Sequence, residues 1–125
     1  MRTGFSRIEL SWPGGDHAFE LTIGDLARLQ EICQAGPIAI LNRLTGPDAR
    51  IEDIRNALLL GLERAGMPAA EARRIVTNAM DSHPLMEFIL PARAVLSAAI
   101  VGIDLGDDDE SDGDATGDDD GKKKA

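Results

Sequence analysis

Polar and apolar residues alternate along Arg7-Ile8-Glu9-Leu10-Ser11-Trp12 and again from His17 to Leu21, where Phe19 and Leu21 fall in phase. Between them lies Pro13-Gly14-Gly15-Asp16, a cluster of strong turn formers. A period of two on both sides of such a cluster predicts a β-hairpin with Ile8, Leu10 and Trp12 facing Phe19 and Leu21. A lone hairpin is marginal in water, so this one must rest on helices.

From Thr22 the apolar period lengthens to that of a helix. Thr22 is placed to cap the backbone N–H near Asp25, whose carboxylate suits the positive end of a helix. Ile23, Leu26, Leu29, Ile32 and Cys33 follow at helical spacing, and Gly36 is the expected stop. Pro37 suits the first turn of a short second helix, about 37 to 44, carrying Ile38, Leu41 and Leu44. A third helix is expected from Ile51 or Glu52, with Ile54, Leu58 and Leu62 at i+4 spacing and Gly66 as its C-terminal cap. A fourth opens after Pro68 with Ala72, Ile75, Val76, Ala79 and Met80 on one face. A fifth is expected from about Pro84 to Val101 along Leu85, Phe88, Ile89, Ala92, Leu96 and Ala99, kinked where Pro91 removes a backbone donor.

The pattern predicts a mainly α domain with a short N-terminal β-hairpin (α+β): about five helices in one compact domain over residues 1–103. Residues 104–125 break the pattern. They hold ten acidic residues and three lysines, with no large apolar side chain after Leu105. Such a segment cannot bury enough surface to offset the entropy of ordering, and a disordered acidic tail is expected.

Charge follows the same division. The 125-residue chain carries −9, of which −7 lies in the tail and −2 in the first 103 residues, where twelve acids face ten arginines. No one-signed basic patch stands out, so nucleic acid is not an expected partner. No apolar run reaches the roughly 18–20 residues that cross a bilayer. The start predicts no secretory signal, and the expected location is the cytoplasm.

Candidate chemistry is sparse. Cys33 is the single cysteine and lies in an apolar helical stripe, which predicts a small core residue. His17 and His83 stand apart in sequence, with no second ligand at metal-binding spacing; His17 is expected as a strand-start surface residue and His83 as part of a helix–helix turn before Pro84. The acidic tail lacks the loop length and flanking helices of a calcium site. No catalytic set, cofactor site or metal site is predicted, and the chain is not expected to be an enzyme.

In order along the chain, several segments resemble one family. They are Leu21-Thr22-Ile23-Gly24-Asp25-Leu26-Ala27-Arg28-Leu29-Gln30; Gly36-Pro37-Ile38-Ala39-Ile40-Leu41-Asn42-Arg43-Leu44; Asp53-Ile54-Arg55 followed by Leu60-Gly61-Leu62 and Gly66-Met67; and His83-Pro84-Leu85 through Gly102. This ordered set, spanning about residues 8 to 103, resembles the small tail proteins of gene transfer agents, phage-like particles encoded by bacteria. That family is similar to phage tail assembly chaperones and is sometimes labelled tail tube protein. The resemblance implies a cofactor-free chaperone that keeps the long helical tape-measure protein soluble while tail tube subunits assemble around it. Such a protein is not expected in the finished particle. The chain departs from the family in Glu63-Arg64-Ala65, where a glycine-rich stretch is expected, and in its acidic tail.

Two further expectations follow. Lysine occurs only in Gly121-Lys122-Lys123-Lys124, which is consistent with a ribosomal slippage site or equally with a plain basic end. The expected partner-binding residues are Leu85, Phe88, Ile89 and Leu96, a stripe equally suited to a core. The alternative to a chaperone is a structural subunit of the tail, in its tube or at its end, located in the particle. A single hairpin is little sheet for closing a ring. Self-association stays open.

Overall fold

In the computed structural model, which describes residues 6–102, two strands precede five helices. The expected fold class is borne out. Strands β1 (Ile8–Trp12) and β2 (Gly15–Phe19) pair antiparallel with Ile8 opposite Phe19, Leu10 opposite His17 and Trp12 opposite Gly15. The tip is Pro13-Gly14, and Gly15 holds φ at +124°, a conformation that suits glycine. Ser6 extends the ladder by a side chain: its hydroxyl donates to the Leu21 carbonyl at 2.7 Å and accepts from the Leu21 N–H at 3.2 Å.

The helices are α1 (Ile23–Cys33), α2 (Pro37–Thr45), α3 (Ile51–Arg64), α4 (Ala69–Ser82) and α5 (Ile89–Val101). Helix α3 is the centre, touching all four other helices and β2. Its Ile54, Ala57, Leu58 and Leu62 are fully enclosed. Gly61 lets the hairpin come close: a methyl group there would stand 3.1 Å from both Phe19 and Val95. The Glu20 N–H donates to the Gly61 carbonyl at 3.1 Å, fastening the end of β2 to α3.

Helix ends follow local chemistry, with three departures from expectation. Helix α1 stops at Gln34, not at Gly36. Gln34 adopts the left-handed conformation (φ 58°), and its amide donates to the Glu31 carbonyl, a local bond that offsets part of the strain. Gly36 instead precedes Pro37 as the N-cap of α2. The last helix is preceded by a separate 3₁₀ turn, Leu85–Phe88, and α5 proper begins at Ile89. Pro91 therefore falls in the first turn, where the backbone N–H has no intrahelical partner to lose, and the break lies one turn before it.

The faces also differ in places. On α1, Leu26, Leu29 and Cys33 are buried while Ile23 and Ile32 point outward. On α2 the buried pair is Ile40 and Leu44, so Ile38 is exposed and Leu41 half-buried. On α4, Ala72, Val76 and Ala79 are buried as expected. The acidic segment 104–125 and the Gly121–Lys124 run lie outside the described residues.

Candidate functional site

The four residues expected to meet a partner do not share one exposed face. Phe88 and Leu96 are fully buried, Ile89 is half-buried, and Leu85 is 44% exposed. The break before Ile89 sets this division. Phe88, at the end of the 3₁₀ turn, packs edge-on against Trp12 with ring centroids 6.2 Å apart. Leu96 belongs to the inner line of α5 with Ala92, Val95 and Ala99, spaced i, i+3, i+4, i+7.

Helix α5 is apolar nearly all the way round, so burying one side leaves apolar residues on the other. That outer line is Leu90, Ala94, Ser97 and Val101. Leu90 is 67% and Met86 77% exposed. Sequence periodicity passed over Leu90 and Met86. The signal was the excess of apolar residues in α5 beyond what one core-facing stripe needs.

Two grooves meet at Leu90. One, of about 530 Å³, runs between the hairpin tip and the start of α5, along Trp12, Pro13, Met86 and Pro91. The other, of about 350 Å³, lies between α2 and α5 and is lined by Leu41, Thr45, Leu90, Arg93, Ala94 and Ser97. Arg93 is the only charge lining this second groove. It has no ion-pair partner among the described residues.

The first groove is stiffened by aromatic packing. Trp12 lies edge-on to Phe19 at 5.7 Å and to Phe88 at 6.2 Å. Its indole N–H donates to His17 Nδ1 at 2.9 Å, which requires the His17 proton on Nε2. His17 is therefore not a plain surface residue: it shares the inner face with Leu10, its cross-strand partner. His83 sits against Phe88, its Nδ1 3.0 Å from the Ala79 carbonyl. The two histidines end up on the same aromatic cluster in packing roles.

Polar side chains in the interior hold helices together. Asp53, fully buried, accepts a bidentate pair from Arg43 with Nε–Oδ2 at 2.9 Å, and Arg43 also reaches the Cys33 carbonyl at 3.3 Å. Burial pushes the Asp53 carboxyl up, but the bonds from Arg43 and the Arg50 N–H outweigh it and hold it below its usual value. Asp25 follows the same logic: burial raises it, and Arg64 with the Thr22 cap lowers it further. The Cys33 thiol is pushed up to about 12, by burial first and by the Asp53 charge second, which removes it as a nucleophile at neutral pH. Among the described residues no three of His, Cys, Asp and Glu gather as metal ligands, and no helix is long and apolar enough to cross a membrane.

These features define a class: a small helical domain, braced by one hairpin, that keeps an apolar groove open on its surface. Comparison supplies the family. The family model described as phage tail tube protein, GTA-gp10, matches residues 6–102, and the chain belongs to that family. It is a phage-tail-related protein of gene transfer agents, as the ordered resemblance in its sequence implied. No curated protein and no solved structure matches the chain.

Proposed function

We infer that this chain is a tail assembly chaperone that binds the tape-measure protein during tail assembly and acts by binding, not catalysis. The observation that carries this reading is the open apolar surface at Met86, Leu90 and the groove beside α5. A domain that has enclosed its core yet leaves Met86 and Leu90 outside, beside a groove lined mainly by apolar residues, offers a surface that can cover apolar surface on something else. A long helical protein awaiting its tube presents such surface. The Cys33 and histidine environments serve packing, which agrees with a role without cofactor or covalent step.

Binding here would take the helix-in-groove form, a partner helix laying its apolar face on α5. The expected site is the cytoplasm, before the tail is complete. Co-expression with the tape-measure protein of the same gene cluster tests this. A chaperone raises the soluble tape-measure fraction, co-purifies with it and is missing from purified particles.

A structural tail subunit is the second reading, favoured by the family description as tail tube protein. Its sheet comprises only two strands among the described residues, one of them docked on α3. A stoichiometric presence in purified particles, with the tape measure equally soluble in its absence, decides for this subunit and against the chaperone.

A further inference from the structure

We propose that the α2–α5 groove is the seat of one amphipathic helix of the tape-measure chain, laid apolar face down with a carboxylate side chain meeting Arg93. This rests on the chaperone reading and names the surface and the partner chemistry within it.

The charge pattern selects the occupant. Neither α2 nor α5 contains an acidic residue, and Arg93 is the one charge lining the groove, beside Leu41, Leu90 and Ala94. Arg93 as a residue is half-buried beside apolar side chains, and its guanidinium, which has no ion-pair partner among the described residues, is better matched by a partner carboxylate than by a neutral surface. A second copy of this chain fits poorly. A two-fold pairing of α5 with α5 would bring the same acid-free face to itself and set Arg93 against Arg93 without a counter-charge.

The shape agrees. The outer line Leu90, Ala94, Ser97 and Val101 runs along three turns, large at its ends and small in the middle. Ala94 and Ser97 leave room for a helix to approach closely, and Leu90 and Val101 give it apolar contact at both ends. On α2, Thr45 and Leu41 form the opposite bank.

The test uses the full chain co-expressed with the tape-measure protein. Leu90→Lys and Arg93→Glu each lower tape-measure capture by roughly tenfold or more. Arg93→Lys retains most of it. All three keep the wild-type melting temperature, because Leu90 is mostly exposed and Arg93 has no ion-pair partner among the described residues to lose. Benzoylphenylalanine in place of Thr45 cross-links to a tape-measure segment of helical period bearing an Asp or Glu, and the same probe in place of Glu31 does not.

If the wild type captures the tape measure while Leu90→Lys and Arg93→Glu capture it equally well, this inference is overturned and the chaperone reading survives. A Thr45 cross-link to a second copy, or to this chain's own residues beyond Gly102, overturns it too. If the wild type captures no tape measure, the chaperone reading fails and takes this inference with it.

Discussion

Helices α1 and α3 begin with the same device and end with different ones. Each places an aspartate three residues past its N-cap, where the carboxylate accepts from the N-cap backbone N–H: Asp25 from Thr22 at 2.9 Å and Asp53 from Arg50 at 3.2 Å. Each aspartate then takes an arginine from another helix, Arg64 or Arg43. The difference is water. The Arg64 side chain is half exposed, whereas Asp53 and Arg43 are nearly sealed and join α1, α2 and α3 at one point through the Cys33 carbonyl. The same bonds are therefore an accessory at one helix and a requirement at the other, because a buried charge stripped of its partner has no solvent to turn to.

Breaking the sealed pair has the largest expected effect. Asp53→Ala leaves Arg43 buried without its anion and is expected to cost about 3–5 kcal/mol, read as a lower urea midpoint at unchanged slope. A loss no greater than that of Asp25→Ala would erase the distinction between the two helices. Asp25→Ala, which removes charged hydrogen bonds at a wetter site, is expected to cost about 2 kcal/mol. Thr22→Ala removes only the hydroxyl half of the α1 cap, for about 1 kcal/mol.

Acid tests both helices together. Each carboxyl is held below its ordinary value of 3.8, so its contribution is complete above that value and is lost as pH falls through the lower folded value. Stability from these two groups is therefore level from neutral pH to about pH 4 and falls below it. Asp53→Asn flattens that acid limb more than Asp25→Asn does, as followed by thermal melts from pH 7 to pH 2.

The smallest effect lies at the other ends. Helix α3 closes with Gly66 at φ +123°, its N–H bonded to the Glu63 carbonyl and the Met67 N–H to that of Leu62, the paired bonds of a Schellman cap. Helix α1 makes its left-handed turn with Gln34. Gln34→Gly relieves that conformation and is expected to raise stability by roughly 0.5 kcal/mol, the gain being limited by the freedom glycine adds to the unfolded chain. A decrease would mean that the Gln34–Glu31 bond outweighs the strain.

The sequence made the local half of this design legible. Thr22 with Asp25 is a three-residue pattern, and that cap forms where expected, whereas the Arg50–Asp53 cap of α3 was not foreseen. Their arginines were not legible, because Arg64 is 39 residues from Asp25 and only folding brings them together. The candidate site divides likewise. Periodicity marked Phe88 and Leu96 as members of an apolar stripe, but α5 is apolar nearly all the way round, so spacing could not tell its inner line from its outer one. The hairpin residue Trp12, which packs on Phe88 from across the fold, settled that choice for Phe88. Leu90 and Met86 were left outside.

Cys33 gives this architecture a built-in clock. Its thiol is enclosed at the α1–α3 seam, with Sγ 3.7 Å from the Glu52 carbonyl. A thiol held up to about 12 does not react while the seam is shut. Modification by a disulfide reagent must therefore wait for α1 to part from α3, and its rate reports how often that happens in otherwise native conditions. The chain carries one cysteine, so the signal comes from one place and needs no label. Timing it with and without a bound partner would reveal whether occupation of the α2–α5 groove quiets the α1–α3 seam, to which α2 is tied by Arg43.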